Sequence, residues 1–334
     1  MEAKWWEPLE NNRVICNLCP RFCKIGEGQS GFCFVRKNVQ GKLYQKAYGR
    51  TTGFALDPME KKPLNHFMPG TSILSFGTAG CNLGCRFCQN WDMSKARLND
   101  LHSLLITPEE VVQLALKHKC SSIAYTYNDP TIYAEYVMDI ARLAHGEGIK
   151  NVMVTAGYIT PIARKDVYTD IDAANVDLKA FTEKFYHKLT LSHLQDVLDT
   201  ICWLANETDV WLEITNLLIP GYNTAKEELS QMIDWIQQNV GSEVPLHFTA
   251  FHPDYKMFDT PSTPKSTLIE ARRLAIKKGM QYVYIGNVFD QQGQTTFCPG
   301  CQKPLIERSW HSILKINLVG TRCTCGQEIP IIWN

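Results

Sequence analysis

Through the middle of the chain, short apolar runs alternate with longer stretches whose apolar residues recur every three or four positions. Ser72-Ile73-Leu74-Ser75-Phe76, ended by Gly77, predicts a first strand. Residues 122–127 predict a second, 151–155 a third and 175–179 a fourth. Residues 210–219 predict a fifth, stopped by Pro220-Gly221, followed by a sixth over 246–249 and a last over 282–285. A helix opens at Thr107-Pro108-Glu109-Glu110, with Thr as N-cap, Pro at the first helical position and Glu at the third. Others are expected over about 131–146, from the fourth strand to about residue 206, and over 227–239. One more runs from Thr263-Pro264 to Lys277-Lys278-Gly279.

Strands separated by helices of this length imply parallel βαβ units, so the fold class is α/β. The units are too few for a closed eight-fold barrel. They predict a partial (β/α)6 TIM-like barrel over residues 70–290, with chemistry at the C-terminal ends of its strands. Residues 1–69 carry few helix signals. Residues 291–296, Gln-Gln-Gly-Gln-Thr-Thr, read as a polar linker that opens a small C-terminal segment over 291–334.

Composition narrows the function. The 334 residues are 45% hydrophobic and 20% charged, which excludes a mainly disordered, collagen-like or coiled-coil chain. Lys+Arg and Asp+Glu both number 34, so charge gives a nucleic-acid partner no support. No uncharged apolar run is long enough for a membrane span, and Met1-Glu2-Ala3-Lys4-Trp5-Trp6-Glu7 lacks the apolar core of a signal peptide. A cytoplasmic location is expected. In that compartment thirteen cysteines are metal ligands or catalytic groups sooner than disulfides. Eleven fall into three sets: Cys16, Cys19, Cys23 and Cys33; Cys81, Cys85 and Cys88; Cys298, Cys301, Cys323 and Cys325. Cys120 and Cys202 stand alone and read as small buried hydrophobes.

Cys81-Asn82-Leu83-Gly84-Cys85-Arg86-Phe87-Cys88 follows the first strand directly. Three thiolates on one loop can hold three irons of a 4Fe–4S cluster and leave the fourth open to a substrate or cofactor. A zinc site or three structural cysteines is the alternative, but no fourth Cys or His lies close by in sequence. The C-x3-C-x2-C loop resembles the signature of the radical S-adenosylmethionine (radical SAM) superfamily. The resemblance implies that the open iron binds the amino and carboxylate groups of S-adenosylmethionine. Reductive cleavage then gives a 5′-deoxyadenosyl radical, which abstracts hydrogen from a substrate. The electron comes from a donor such as ferredoxin or flavodoxin.

The same resemblance assigns cofactor-binding candidates, each with a plainer reading. Phe87 would lie beside the adenine, or simply in the core. Asn128 and Asp129, in Thr126-Tyr127-Asn128-Asp129-Pro130, would bind the amino group, or form an Asn-Asp-Pro turn. Asp177 and Lys179 share one strand face and would flank the cofactor, or form a barrel salt bridge. Tyr284 and Asn287, in Tyr284-Ile285-Gly286-Asn287, resemble an adenine-binding segment, or a Gly-Asn turn. Asn216 and His252 complete the set. His252, with Tyr255, is a candidate for substrate contact or part of a polar loop.

Longer stretches resemble one family within the superfamily, the radical SAM component of the AmmeMemoRadiSam system. They are Cys16-Asn17-Leu18-Cys19-Pro20, Asp57-Pro58-Met59-Glu60-Lys61-Lys62-Pro63-Leu64, Gly80-Cys81-Asn82 with Cys88-Gln89-Asn90-Trp91, Asn216-Leu217-Leu218-Ile219-Pro220-Gly221, and Phe251-His252-Pro253-Asp254-Tyr255-Lys256. That family implies AMMECR1-type and Memo-type partners. It is similar to pyruvate formate-lyase activating enzyme, yet Val154 stands where such activases carry a cation-binding Asp, and Thr215 where they carry an Arg. A different substrate is expected. A glycyl-radical-enzyme activase, or an RNA-modifying enzyme using its ribbons to bind substrate, are the alternatives.

Cys298-x2-Cys301 and Cys323-x-Cys325 form two knuckles, expected to make a closed zinc site, with a second iron–sulfur cluster as the alternative. Cys16-x2-Cys19-x3-Cys23-x9-Cys33 fits zinc or an auxiliary 4Fe–4S cluster.

Overall fold

The structure, a computed structural model, describes residues 1–97 and 103–334. Its centre is an eight-stranded sheet: β1 (Phe54–Pro58), β2 (Ser72–Phe76), β3 (Ser122–Tyr125), β4 (Lys150–Thr155), β5 (Ala173–Asp177), β6 (Trp211–Leu218), β7 (Leu246–Ala250) and β8 (Val283–Gly286). They lie side by side in chain order. β2 to β8 are parallel, and β1 pairs antiparallel with β2 at one edge. Six helices make the crossovers: α1 (Pro108–Lys117), α2 (Ala134–Gly146), α3 (Pro161–Val167), α4 (Leu194–Glu207), α5 (Lys226–Asn239) and α6 (Lys265–Lys277). This is the expected partial (β/α)6 barrel. Every residue of β3 and β7 is buried, as in a parallel sheet covered on both faces. No helix among the described residues is long and apolar enough to cross a membrane.

Local chemistry sets the element ends. Thr107 accepts from the Glu110 N–H while the Glu110 carboxylate accepts from the Thr107 N–H at 2.7 Å, which closes the expected capping box. Three expectations need correction. α3 has no counterpart in the apolar pattern, although Thr160-Pro161 repeats the Thr-Pro opening of α1; two turns are too short to show a period. β5 runs two residues earlier than expected, so Lys179 lies beyond it. The 291–296 stretch is no free linker. Asp290 caps a helical turn over Gln291–Gln294, and Gln294 is buried.

The flanks are built onto the barrel. Near the N-terminus, strands Trp6–Pro8, Val14–Cys16 and Lys24–Ile25 form a small antiparallel sheet. Arg36, from the hairpin beside it, is fully buried and pairs with Glu135 of α2 at 2.5 Å. At the C-terminus, β9 (Thr296–Phe297), β10 (Pro304–Ser309) and β11 (Ser312–Ile316) form a three-stranded ribbon. Its Leu305, Ile306 and Ile329 pack with Tyr282 and Tyr284 around β8, which covers that edge of the sheet.

A loop over residues 59–68 fills the barrel at the N-terminal ends of the strands. Met59, Leu64, Phe67 and Met68 pack against Ile73, Ala124, Val152 and Ala173. Glu213 of β6 fastens this loop by accepting from the backbone N–H groups of Asn65 and His66 at 3.0 and 2.8 Å. The His66 ring donates from Nδ1 to the Pro330 carbonyl at 2.8 Å, and its Nε2 meets the Tyr284 hydroxyl at 2.6 Å. Burial holds His66 down to about 4, so it is neutral and accepts from Tyr284. A depressed histidine stabilises the fold fully above its unfolded value of 6.5 and progressively less as pH falls toward 4. Between pH 7.5 and pH 5 the wild type should therefore lose about 2 kcal/mol more stability than His66→Gln, measured by denaturant unfolding. Equal losses would mean that protonation of His66 costs the fold nothing.

Candidate active site

The loop after β2 carries Cys81, Cys85 and Cys88 into a cavity of about 440 Å³ inside the barrel. Two glycines shape it. A Cβ on Gly77 would lie 2.7 Å from the Thr126 carbonyl oxygen and 2.8 Å from the Asn128 Oδ1. Gly80 has φ +85°, and a Cβ there would lie 2.1 Å from the Cys33 carbonyl oxygen. Asn128, at the end of β3, braces the loop between them. Its Nδ2 donates to the Gly80 carbonyl at 2.7 Å and to Thr78 Oγ1 at 3.1 Å, and its Oδ1 accepts from the Thr78 N–H at 3.1 Å. No fourth thiol among the described residues lines the cavity. Three thiolates beside open space suit a 4Fe–4S cluster with one iron left for a ligand.

Asp129 also lines the cavity and is buried. It accepts from the Thr131 N–H at 3.0 Å, the Ala156 N–H at 2.8 Å and Thr155 Oγ1 at 3.1 Å. It therefore caps the helical turn Pro130–Tyr133 and ties β3 to β4. Burial raises its pKa against those bonds. A carboxylate has about four acceptor sites, so one is free for a cavity ligand. Asp177 and Lys179 form the barrel salt bridge, at 3.0 Å. Burial opposes the Lys179 charge, but Asp177 and Cys85 hold its pKa above the ordinary lysine value. Its ammonium lies 5.9 Å from the centre of the Phe87 ring.

Tyr284 and Asn287 line the same cavity. Tyr284 stacks on His247 at 5.1 Å, and Asn287, at φ +59°, donates to the Ala250 carbonyl at 3.0 Å. Phe87, Asn216 and His252 do not line it. Phe87 is buried against Phe185, with ring centres 5.7 Å apart. Asn216 is buried and donates to the Leu178 carbonyl at 2.6 Å, while its Oδ1 has no partner. His252 is exposed on the loop after β7, and the neighbouring Tyr255 stacks on Trp91 at 5.6 Å.

The structure adds wall residues that no local pattern marked. Lys62 lies in the 59–68 loop and pairs with Asp57 at 2.7 Å. Burial lowers the Lys62 pKa against that pairing. Burial pushes the Asp57 carboxyl up, but hydrogen bonds from Lys61 and Lys62 outweigh it and hold it well below the usual carboxylate range. The Tyr127 hydroxyl donates to the same carboxylate at 3.1 Å. Trp310 and His311, at the tip of the β10–β11 hairpin, close the cavity with Arg308. Arg308 is buried and donates to Thr296 Oγ1, to the Gln294 and Asn65 carbonyls, and to Glu60 at 3.5 Å. Lys61 and Lys62 fall within a stretch that carried the family resemblance. The ribbon residues come from more than 170 positions beyond β3 and had no signal in sequence.

The ribbon brings four thiols close enough to share one metal ion. The thiols of Cys298, Cys301, Cys323 and Cys325 all lie within 4.8 Å of one another. The Cys298–Cys325 and Cys301–Cys323 sulfurs are 3.6 Å apart. Sulfurs placed tetrahedrally about 2.3 Å from zinc would be about 3.8 Å apart, so the quartet fits one zinc ion.

Residues 76–236 match the family model described as "Radical SAM superfamily". An uncharacterized protein of Methanocaldococcus jannaschii is 43% identical over 334 residues, spanning 99% of each chain. This chain belongs to the radical SAM superfamily. Pyruvate formate-lyase-activating enzyme of Clostridium pasteurianum is 22% identical over 217 residues, which span 59% of this radical SAM protein and 87% of the relative. The crystal structure of a radical SAM methyltransferase from Sphaerobacter thermophilus shares the fold, with a TM-score of 0.53 at 15% identity over 66% of this chain and 68% of that one. Membership in this superfamily implies S-adenosylmethionine and a 4Fe–4S cluster, and the three thiols lining one cavity suit such a cluster.

The glycine contacts make the loop testable apart from its chemistry. Gly77→Ala should lower cluster iron in the anaerobically reconstituted protein severalfold, because the new methyl must displace a backbone carbonyl. Gly146→Ala, at the end of α2 with no atom within 4 Å, should bind iron like the wild type. Equal iron content in the two variants would remove Gly77 as a constraint on the loop.

Proposed function

We propose that this protein cleaves S-adenosylmethionine reductively and abstracts hydrogen from a small substrate held in the same cavity. The observation that carries the reading is three cavity-lining thiols with no fourth beside them among the described residues. Cys81, Cys85 and Cys88 would hold a 4Fe–4S cluster, which would supply the electron for reductive cleavage of S-adenosylmethionine. The chain's own residues bind and orient. Asp129 offers its remaining acceptor site to the amino group, and Lys179 stays cationic for the carboxylate. Tyr284 and Asn287 line the same cavity. Lys62, Trp310 and His311 form the part of the wall available to a substrate. The family stretches support a place in the AmmeMemoRadiSam system, with AMMECR1-type and Memo-type partners and a ferredoxin- or flavodoxin-like electron donor. The ribbon quartet, on its spacing, holds zinc.

A second reading, a glycyl-radical-enzyme activase, is favoured by the likeness to pyruvate formate-lyase-activating enzyme. Val154 and Thr215 stand against it, since the activase pattern expects an Asp and an Arg there.

With S-adenosylmethionine and a reductant under anaerobic conditions, the wild type should release 5′-deoxyadenosine. Cys81→Ala, Cys85→Ala and Cys88→Ala should each abolish that release, followed by mass spectrometry, because three ligands are already the minimum. Full release from any of the three would sink the assignment. Adding the partner-family proteins should yield a modified small molecule; a glycyl radical on a protein would favour the activase instead.

Cys298→Ser should reduce zinc by about one ion per chain and lower the melting temperature, since metal binding contributes folding free energy to so small a ribbon. Elemental analysis that finds iron at this site would refute the zinc assignment.

A further inference from the structure

Cys16, Cys19, Cys23 and Cys33 come from three separate turns and strands of the N-terminal segment, yet they surround a common void together with Arg36 and Asn82. None of the four is in a disulfide, and all but Cys23 are buried. Two features separate this quartet from the ribbon quartet. The ribbon sulfurs crowd within 4.8 Å of one another, and no group of three from the N-terminal set does so among the described residues. Nor do Cys81, Cys85 and Cys88 form so close a group among the described residues. The void between the N-terminal thiols also admits a water-sized sphere. Sulfurs about 2.3 Å from a single zinc ion would leave no such void.

We propose that Cys16, Cys19, Cys23 and Cys33 hold a second 4Fe–4S cluster, one thiolate to each iron. With every iron bound by protein, the cluster has no open position for a substrate and can exchange only electrons. Its shell touches the catalytic loop in two places. The Cys33 carbonyl fills the space where a Gly80 side chain would be. The Arg21 guanidinium, two residues after Cys19, donates to the Asn82 carbonyl next to Cys81. On its outer side the quartet is bordered by half-buried Cys23 and exposed Phe22. The site therefore lies between solvent and the catalytic loop.

The test is the metal content of the anaerobically reconstituted full chain, read with its low-temperature magnetic resonance spectrum after reduction. The wild type should carry about eight irons, eight sulfides and one zinc. A Cys81→Ala, Cys85→Ala, Cys88→Ala triple variant should retain about four irons, four sulfides and the spectrum of a reduced 4Fe–4S cluster. Four irons with two zincs in the wild type, and no iron in the triple variant, would overturn the proposal. The count does not depend on cleavage of S-adenosylmethionine. Failure of the proposed function with eight irons present would leave this site standing, and the wild-type count decides the matter even if the triple variant does not fold.

Discussion

The cluster loop has no room to spare, and much of the molecule is arranged around that fact. At Gly77 and Gly80 the backbone approaches Thr126, Asn128 and Cys33 so closely that even a methyl group would collide. The loop is held both by this close contact and by backbone hydrogen bonds from Gly80, Gly84 and Arg86 to the Met93, Thr190 and Leu189 carbonyls. Asn128 supplies the polar half of the grip by satisfying both a donor and an acceptor of the loop backbone. Because Cys33 supplies part of the steric half, the N-terminal flank cannot be peeled away without loosening the catalytic thiols. The buried Arg36–Glu135 pair fixes that flank to α2. Removing one partner of such a pair strands a charge in the interior and costs about 3–5 kcal/mol.

The cavity wall at Arg308 and Tyr284 depends on a second buried system. Arg308 donates to Thr296, Thr296 meets Tyr284, Tyr284 meets neutral His66, and His66 donates to Pro330. With His66 neutral, every hydroxyl in this chain can point the same way, so no buried donor faces another donor. Glu213 gathers donors from Asn65, His66, Trp211 and His247, enough to compensate a carboxylate with no exposure to solvent. These bonds join the 59–68 loop, β6, β7, β8, the ribbon and the C-terminal tail into one wall.

How far the sequence could be read follows from the range of each interaction. The parallel strands and five of the six crossovers were legible because burial on both faces leaves continuous apolar runs, and helices of three turns or more show their period. α3 was not, being two turns long. The three-cysteine set after β2 was legible because one loop carries all of it. Asp129, Asp177, Lys179, Tyr284 and Asn287 come together on one cavity because strand ends converge in a barrel, whatever their distance in the chain. Phe87, Asn216 and His252 lie on equally plausible segments but turn to the core, to the Leu178 backbone and to the surface. Arg308, Trp310 and His311 were invisible: nothing local tells a ribbon hairpin that its tip will close a cavity made by strands far upstream.

The three cysteine sets show the same limit at atomic scale. A C-x2-C step occurs in each of them, and it suits zinc and iron–sulfur alike. What differs is how far the rest of the fold lets the sulfurs approach. In the ribbon, two short knuckles face each other, and the Cys298–Cys325 and Cys301–Cys323 sulfurs lie 3.6 Å apart. In the catalytic loop, the thiols border a cavity that the barrel keeps open. In the N-terminal set, the scaffold of strands and turns holds four thiols apart around a void. Ligand number then decides chemistry: three thiolates around four irons leave a reactive corner, whereas four leave none. The separation of the sulfurs, set by tertiary packing, distinguishes these sites where their spacing along the chain cannot.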